Sequence, residues 1–71
     1  MKQIIIKHTN GKVSQKYYIN NSGQYYGLFI SYWGNGNIYH KINFNNGKRY
    51  GLRTWYDKNI KIKITHQSYY L

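Results

Sequence analysis

A chain of 71 residues has room for one domain with a thin core, because so short a chain hides only about 60% of its unfolded surface. There is no cysteine for a disulfide or a thiolate metal site, and no apolar run near the roughly 18 residues that a membrane helix needs. Eleven Lys and Arg face a single acid, Asp57, giving a formal net charge of +10, so the domain repels itself and attracts polyanions such as nucleic acid, an anionic membrane or an acidic protein surface.

Five turn-forming marks divide the chain: "TNGK" at 9–12, "NNSG" at 20–23, "GNGN" at 34–37, "NNGK" at 45–48 and "DKN" at 57–59. Asn-Gly accepts the positive φ values of a tight hairpin turn, and the six runs between the marks are rich in Ile, Tyr, Phe, Trp and Thr, which suit a pleated surface. Lys in the first and last runs would discourage edge-to-edge association. In the second run Val13, Tyr17 and Ile19 alternate with Lys12, Ser14, Lys16 and Tyr18. The third, "YYGLFISYW", is apolar on both faces and predicts the most enclosed strand, or one whose second face meets a partner.

In the fourth run Ile38, Ile42 and Phe44 share a face with His40, opposite Tyr39, Lys41 and Asn43. The fifth sets Tyr50, Leu52, Thr54 and Tyr56 against Arg49, Gly51, Arg53 and Trp55. The sixth has the cleanest period of two, with Ile60, Ile62 and Ile64 against Lys61, Lys63 and Thr65. The expectation is an all-β fold: a single domain over 1–71, built as an antiparallel meander of repeated hairpins with about six short strands in an open twisted sheet.

Tyr26-Gly27-Leu28 returns as Tyr50-Gly51-Leu52, an offset of 24 that also sets Tyr32 on Tyr56, Asn35 on Asn59 and Ile38 on Ile62. Residues 10–27 match 35–51 with a one-residue gap, so the chain holds about two and a half copies of one hairpin unit. One hairpin cannot bury its own apolar face, and stacked copies make a continuous sheet.

The unit resembles the MORN repeat, in the bacterial and viral variant of YwqK-like proteins. The matching positions are Gly27, Tyr32, Trp33, Asn35, Gly36, Ile38, Phe44, Asn46, Gly47, Lys48 and Gly51, within a stretch spanning 10–64. The resemblance implies a non-enzymatic scaffold that engages proteins and, in some members, acidic phospholipids. It also implies architectural roles for Gly27 and Gly51, whose lack of a side chain would let a neighbouring aromatic pack closely.

Enzymatic chemistry is not expected. One carboxylate makes no acid pair, and no ordered Ser, His and Asp set or cysteine supplies a nucleophile. His8, His40 and His66 lack the spacing of zinc ligands, and His40, beside Ile38 and Ile42, reads as a half-buried, hydrogen-bonded side chain. Neither metal nor cofactor is expected. The short apolar block of "MKQIIIKH" is no signal peptide, so the expected setting is intracellular, or within a virion or organelle.

The face opposite the isoleucines is the candidate site. Hairpins stacked in register would gather Lys16, Tyr18, Tyr39, Lys41, Arg49, Arg53, Trp55, Lys61 and Lys63 on one surface, mixing cations that neutralise phosphate with rings on which bases stack. The leading expectation is a small interaction module in a larger assembly, its basic face against an anionic surface and a protein partner or second copy covering leftover apolar area. Sequence-independent binding of single-stranded nucleic acid or RNA is the alternative, and anionic phospholipid a third.

Overall fold

The computed structural model describes residues 1–71 and forms six strands: β1 (Lys2–Lys7), β2 (Val13–Ile19), β3 (Gly27–Tyr32), β4 (Ile38–Asn45), β5 (Lys48–Tyr56) and β6 (Ile64–Tyr70). They make one sheet in chain order, each strand antiparallel to the next, with β1 and β6 as open edges. The chain is thus an all-β hairpin meander without helices.

Its dimensions are 36 × 29 × 12 Å. Face-to-face sheets lie about 10 Å apart before outer side chains are added, so a thickness of 12 Å is that of a single layer. Only Phe29, Ser31, His40, Ile42, Thr54 and Tyr56 are buried, all on β3, β4 and β5, and no large side chain is completely enclosed.

The repeat is visible as a ladder between successive turns. His8 Nε2 lies 3.1 Å from the Tyr32 carbonyl, and the Trp33 indole N–H donates to the Tyr56 carbonyl at 3.4 Å. Asn10 donates to the Gly34 carbonyl at 2.9 Å, and Asn35 to the Lys58 carbonyl at 2.8 Å. The same asparagines accept the amides of Lys12 and Asn37 within their own turns. Each turn is therefore closed by its asparagine side chain and tied by it to the next copy.

Two irregularities recur and decide which side chain faces where. On the even strands one extra residue enters the ladder: Ser14 and Gln15 together face Ile6, Tyr39 and His40 face Ser31, and Thr65 and His66 face Trp55. On the odd strands the register shifts near Gly27 and Gly51, which have φ of 80° and 78°.

Directly opposed residues share a face, so the pairing traces two unbroken rows across the sheet. Ile6, Gln15, Ser31, His40, Trp55 and His66 form one; Ile5, Lys16, Ile30, Lys41, Thr54 and Gln67 form the other, on the opposite face. We call these the ring face and the aliphatic face.

Three sequence expectations are corrected. The bulge in β4 turns Tyr39 to the side of His40 and sends Ile38 to the side of Lys41, so simple alternation fails after Ile38. The stretch 60–63 is not strand: Asp57 N–H donates to the Lys63 carbonyl across a seven-residue reversal, whereas Trp33 and Asn37 close the equivalent turn over five. Ile62 adopts φ 65° there and Ile64 opens β6, so Ile38 corresponds to Ile64 and not to Ile62. The ladder onto the Tyr56 and Lys58 carbonyls holds these residues against the preceding turn, and the chain reverses later. Finally, no atom lies within 4 Å of where a Cβ on Gly27 or Gly51 would stand, so positive φ and not aromatic packing requires glycine there.

Candidate functional site

The ring face carries a belt of aromatic side chains. Tyr17 stacks on Phe29 with centroids 4.9 Å apart and planes 7° from parallel, while Tyr25 meets Phe29 and Phe44 edge-on at 5.3 and 5.0 Å. This cluster joins the second, third and fourth strands where the ladder between β2 and β3 is sparse. Farther along, Trp33 and Tyr39 lie 4.4 Å apart, Tyr39 stacks on His40 at 5.1 Å, and Trp55 sits 4.9 Å from His66.

Two guanidinium groups lie on these rings. Arg53 lies 4.5 Å from the Trp55 centroid and Arg49 lies 4.9 Å from that of Tyr70. Both line a shallow hollow of about 340 Å³ with Gln15, Ser31, Tyr39 and His40. Arg49 occupies, two residues before Gly51, the place that Tyr25 holds before Gly27.

Two side-chain atoms of residues that line the hollow, His40 Nδ1 and Arg53 Nε, are buried without a hydrogen-bond partner. Such atoms are costly unless something satisfies them. Burial, aided by the nearby Arg53 charge, holds the His40 pKa below its ordinary value, so the imidazole is neutral at neutral pH. Its free nitrogen can then donate or accept according to tautomer.

No acidic side chain lines this hollow. Asp57 stands in the last turn, where its carboxylate accepts the amides of Ile60 and Asn59 at 2.7 and 2.8 Å. Those bonds, with a smaller contribution from Lys63, lower its pKa. No three of the His, Asp and Glu side chains come together as a metal site.

The nine residues expected on one surface are divided by the register. Tyr39, Arg49, Arg53 and Trp55 are brought together on the ring face. Lys16, Tyr18 and Lys41 lie on the aliphatic face, opposite Ile5, Gln3 and Thr54 respectively. Lys61 lines a second hollow of about 370 Å³ on that side with Tyr32, Ile38, Lys41, Tyr56 and Ile62. Lys63 closes the last turn through its backbone.

Sequence reasoning missed Gln15, Ser31, His40 and His66 as members of the site. The available signal was the spacing of the paired bulge residues at 14–15, 39–40 and 65–66, close to the repeat length. The expectation for His40 is corrected in part: Ile42 shares its face, but Ile38 lies on the other, its cross-strand neighbours are Ser31 and Trp55, and its Nδ1 has no hydrogen-bond partner. No helix is long and apolar enough to cross a membrane. Comparison with protein-family models, curated proteins and solved structures finds no match to this chain.

Proposed function

We propose that this chain is a non-catalytic binding module that docks an anionic partner on its ring face. One observation carries the reading: Arg49 and Arg53 lie over rings in a hollow lined by no acidic side chain, and Arg53 keeps an unpaired buried N–H. A guanidinium is weakly hydrated and held flat by the ring beneath it, so it loses little on meeting an anion. Membership of the MORN-type arrays belongs to the same proposal, supported by the stacked turns and the recurring glycine pair.

The test is a calorimetric titration with heparin and polyglutamate over a salt series. Binding should weaken with salt, and weaken more in Arg49→Gln/Arg53→Gln than in Lys16→Gln/Lys41→Gln, which removes equal charge from the other face. Equal losses in the two double variants would assign the attraction to net charge alone and overturn the ring face as the site.

The aliphatic face favours a second role, in self-association. Leu28, Leu52, Tyr69 and Ile64 remain 39–68% exposed on it. A face of 36 by 29 Å is ample for the ~800 Å² that each partner contributes to a standard interface. Lys16 and Lys41 would meet their like across a dimer, so dimerisation should strengthen as salt screens them, the reverse of polyanion binding. Sedimentation equilibrium checks this, with Leu52→Asp expected to remain monomeric at every salt concentration.

A further inference from the structure

Building on the proposed anion-binding role, we infer that the ring face takes single-stranded nucleic acid, with bases laid on its exposed rings and phosphates on Arg49 and Arg53. Three features select this polyanion over others. Tyr25 and Tyr39 are 41% and 38% exposed where Phe29 on the same face is 9% exposed, and the open part of a ring offers a base a surface that heparin or a lipid headgroup cannot use. Gln15 and Ser31 also line the hollow between them, and both carry neutral hydrogen-bonding groups suited to base edges.

The third feature is breadth. A duplex shows its base edges only inside grooves, of which even the major one is about 12 Å wide, whereas the sheet face measures 36 by 29 Å. The ring face cannot enter a groove and could meet a duplex only at its phosphates. A single strand has no such barrier, because its unstacked bases can turn onto the sheet.

The direction of the strand follows from the rows. Gln15, Ser31, His40, Trp55 and His66 cross five adjacent strands. At about 4.8 Å between strands the row spans roughly 19 Å. This suits a site near the lower end of the about 4–16 nucleotides bound by a small β platform. Arg53 stands beside the row, two residues from Trp55 on β5, and Arg49 lies four residues farther along the same strand. Recognition of this kind is tolerant of sequence, since every base has a face to stack.

The experiment is fluorescence anisotropy of a labelled oligothymidylate of about twelve nucleotides, with a duplex of equal length and heparin as competitors, near physiological salt. The single strand should bind more tightly than the duplex. Tyr39→Leu should weaken it about 5- to 150-fold, the range for one stacked base, and weaken the single strand by more than it weakens heparin. Near-ultraviolet circular dichroism establishes whether the variant keeps its ring packing. As a measurement needing no variant, the intrinsic fluorescence of Trp33 and Trp55 should be quenched saturably by oligothymidylate and not by heparin.

Heparin binding that depends on Arg49 and Arg53, with no preference for the single strand and no quenching, would overturn this inference and leave the anion-binding role standing. Failure of heparin, polyglutamate and oligonucleotide alike at low salt would overturn both.

Discussion

Gly51 allows a sharp test of why glycine recurs one repeat apart. Its φ is 78°, and no atom lies within 4 Å of a Cβ built on it. Replacement by alanine therefore costs only backbone conformation, about 1–2 kcal/mol for an L residue held in the left-handed region. Against a total stability of roughly 4–10 kcal/mol for a domain this small, that is a large share. It corresponds to a melting temperature lowered by about 4–16 °C. Asparagine tolerates positive φ, so Gly51→Asn should cost less than Gly51→Ala although it is larger, and the β-branched Gly51→Val should cost most. Urea unfolding followed by tryptophan fluorescence gives the order directly. If Asn proves more damaging than Ala, side-chain size and not φ is the constraint, and the open space around Gly51 is wrong.

Ile62 is the converse case: a β-branched residue at φ 65° and 74% exposed, so Ile62→Gly should raise stability by about 1 kcal/mol in the same assay. Asn35→Ala removes the bonds to Lys58 and to its own turn, and should cost about 1–3 kcal/mol with the loss concentrated in hydrogen-exchange protection of residues 33–37 and 56–58. The pH dependence has a definite sign. His40 has its pKa lowered on folding, so the unfolded chain binds the proton more readily, and stability complete above about pH 6.5 declines as pH falls below it. The Asp57 pKa is also lowered, so its contribution is present above the ordinary carboxylate range and is lost as pH drops through it. Urea midpoints should therefore fall on acidification from neutrality, and His40→Gln should flatten the first part of that decline.

The hairpin meander was legible because its signals are local. Asn-Gly pairs specify reversals within a few residues, and the runs between them have strand composition. Even there, the sixth run misled. The alternation Ile60, Ile62, Ile64 has the period of a strand, yet residues 60–63 belong to a turn. What prevails is a contact from elsewhere, the Trp33 and Asn35 side chains drawn to the Tyr56 and Lys58 carbonyls.

The candidate site was less legible. Alternation placed Trp55, Arg49 and Arg53 on one face correctly, because β5 keeps its parity through the shift at Gly51. It placed Tyr39 opposite His40, where a single inserted residue puts both on the same side. Lys16 and Lys41 were assigned to the arginine face, but across the sheet they align with Ile5, Ile30 and Thr54.

By itself the sequence determined the charge, the strand content, the hairpin order and the recurrence of glycine near position 51, since each depends on residue type and near neighbours. The tertiary structure alone decided which rings and cations share a face. Strand side chains alternate with a period of two, so one bulge residue reverses every assignment beyond it, and bulges are set by pairing with the neighbouring strand.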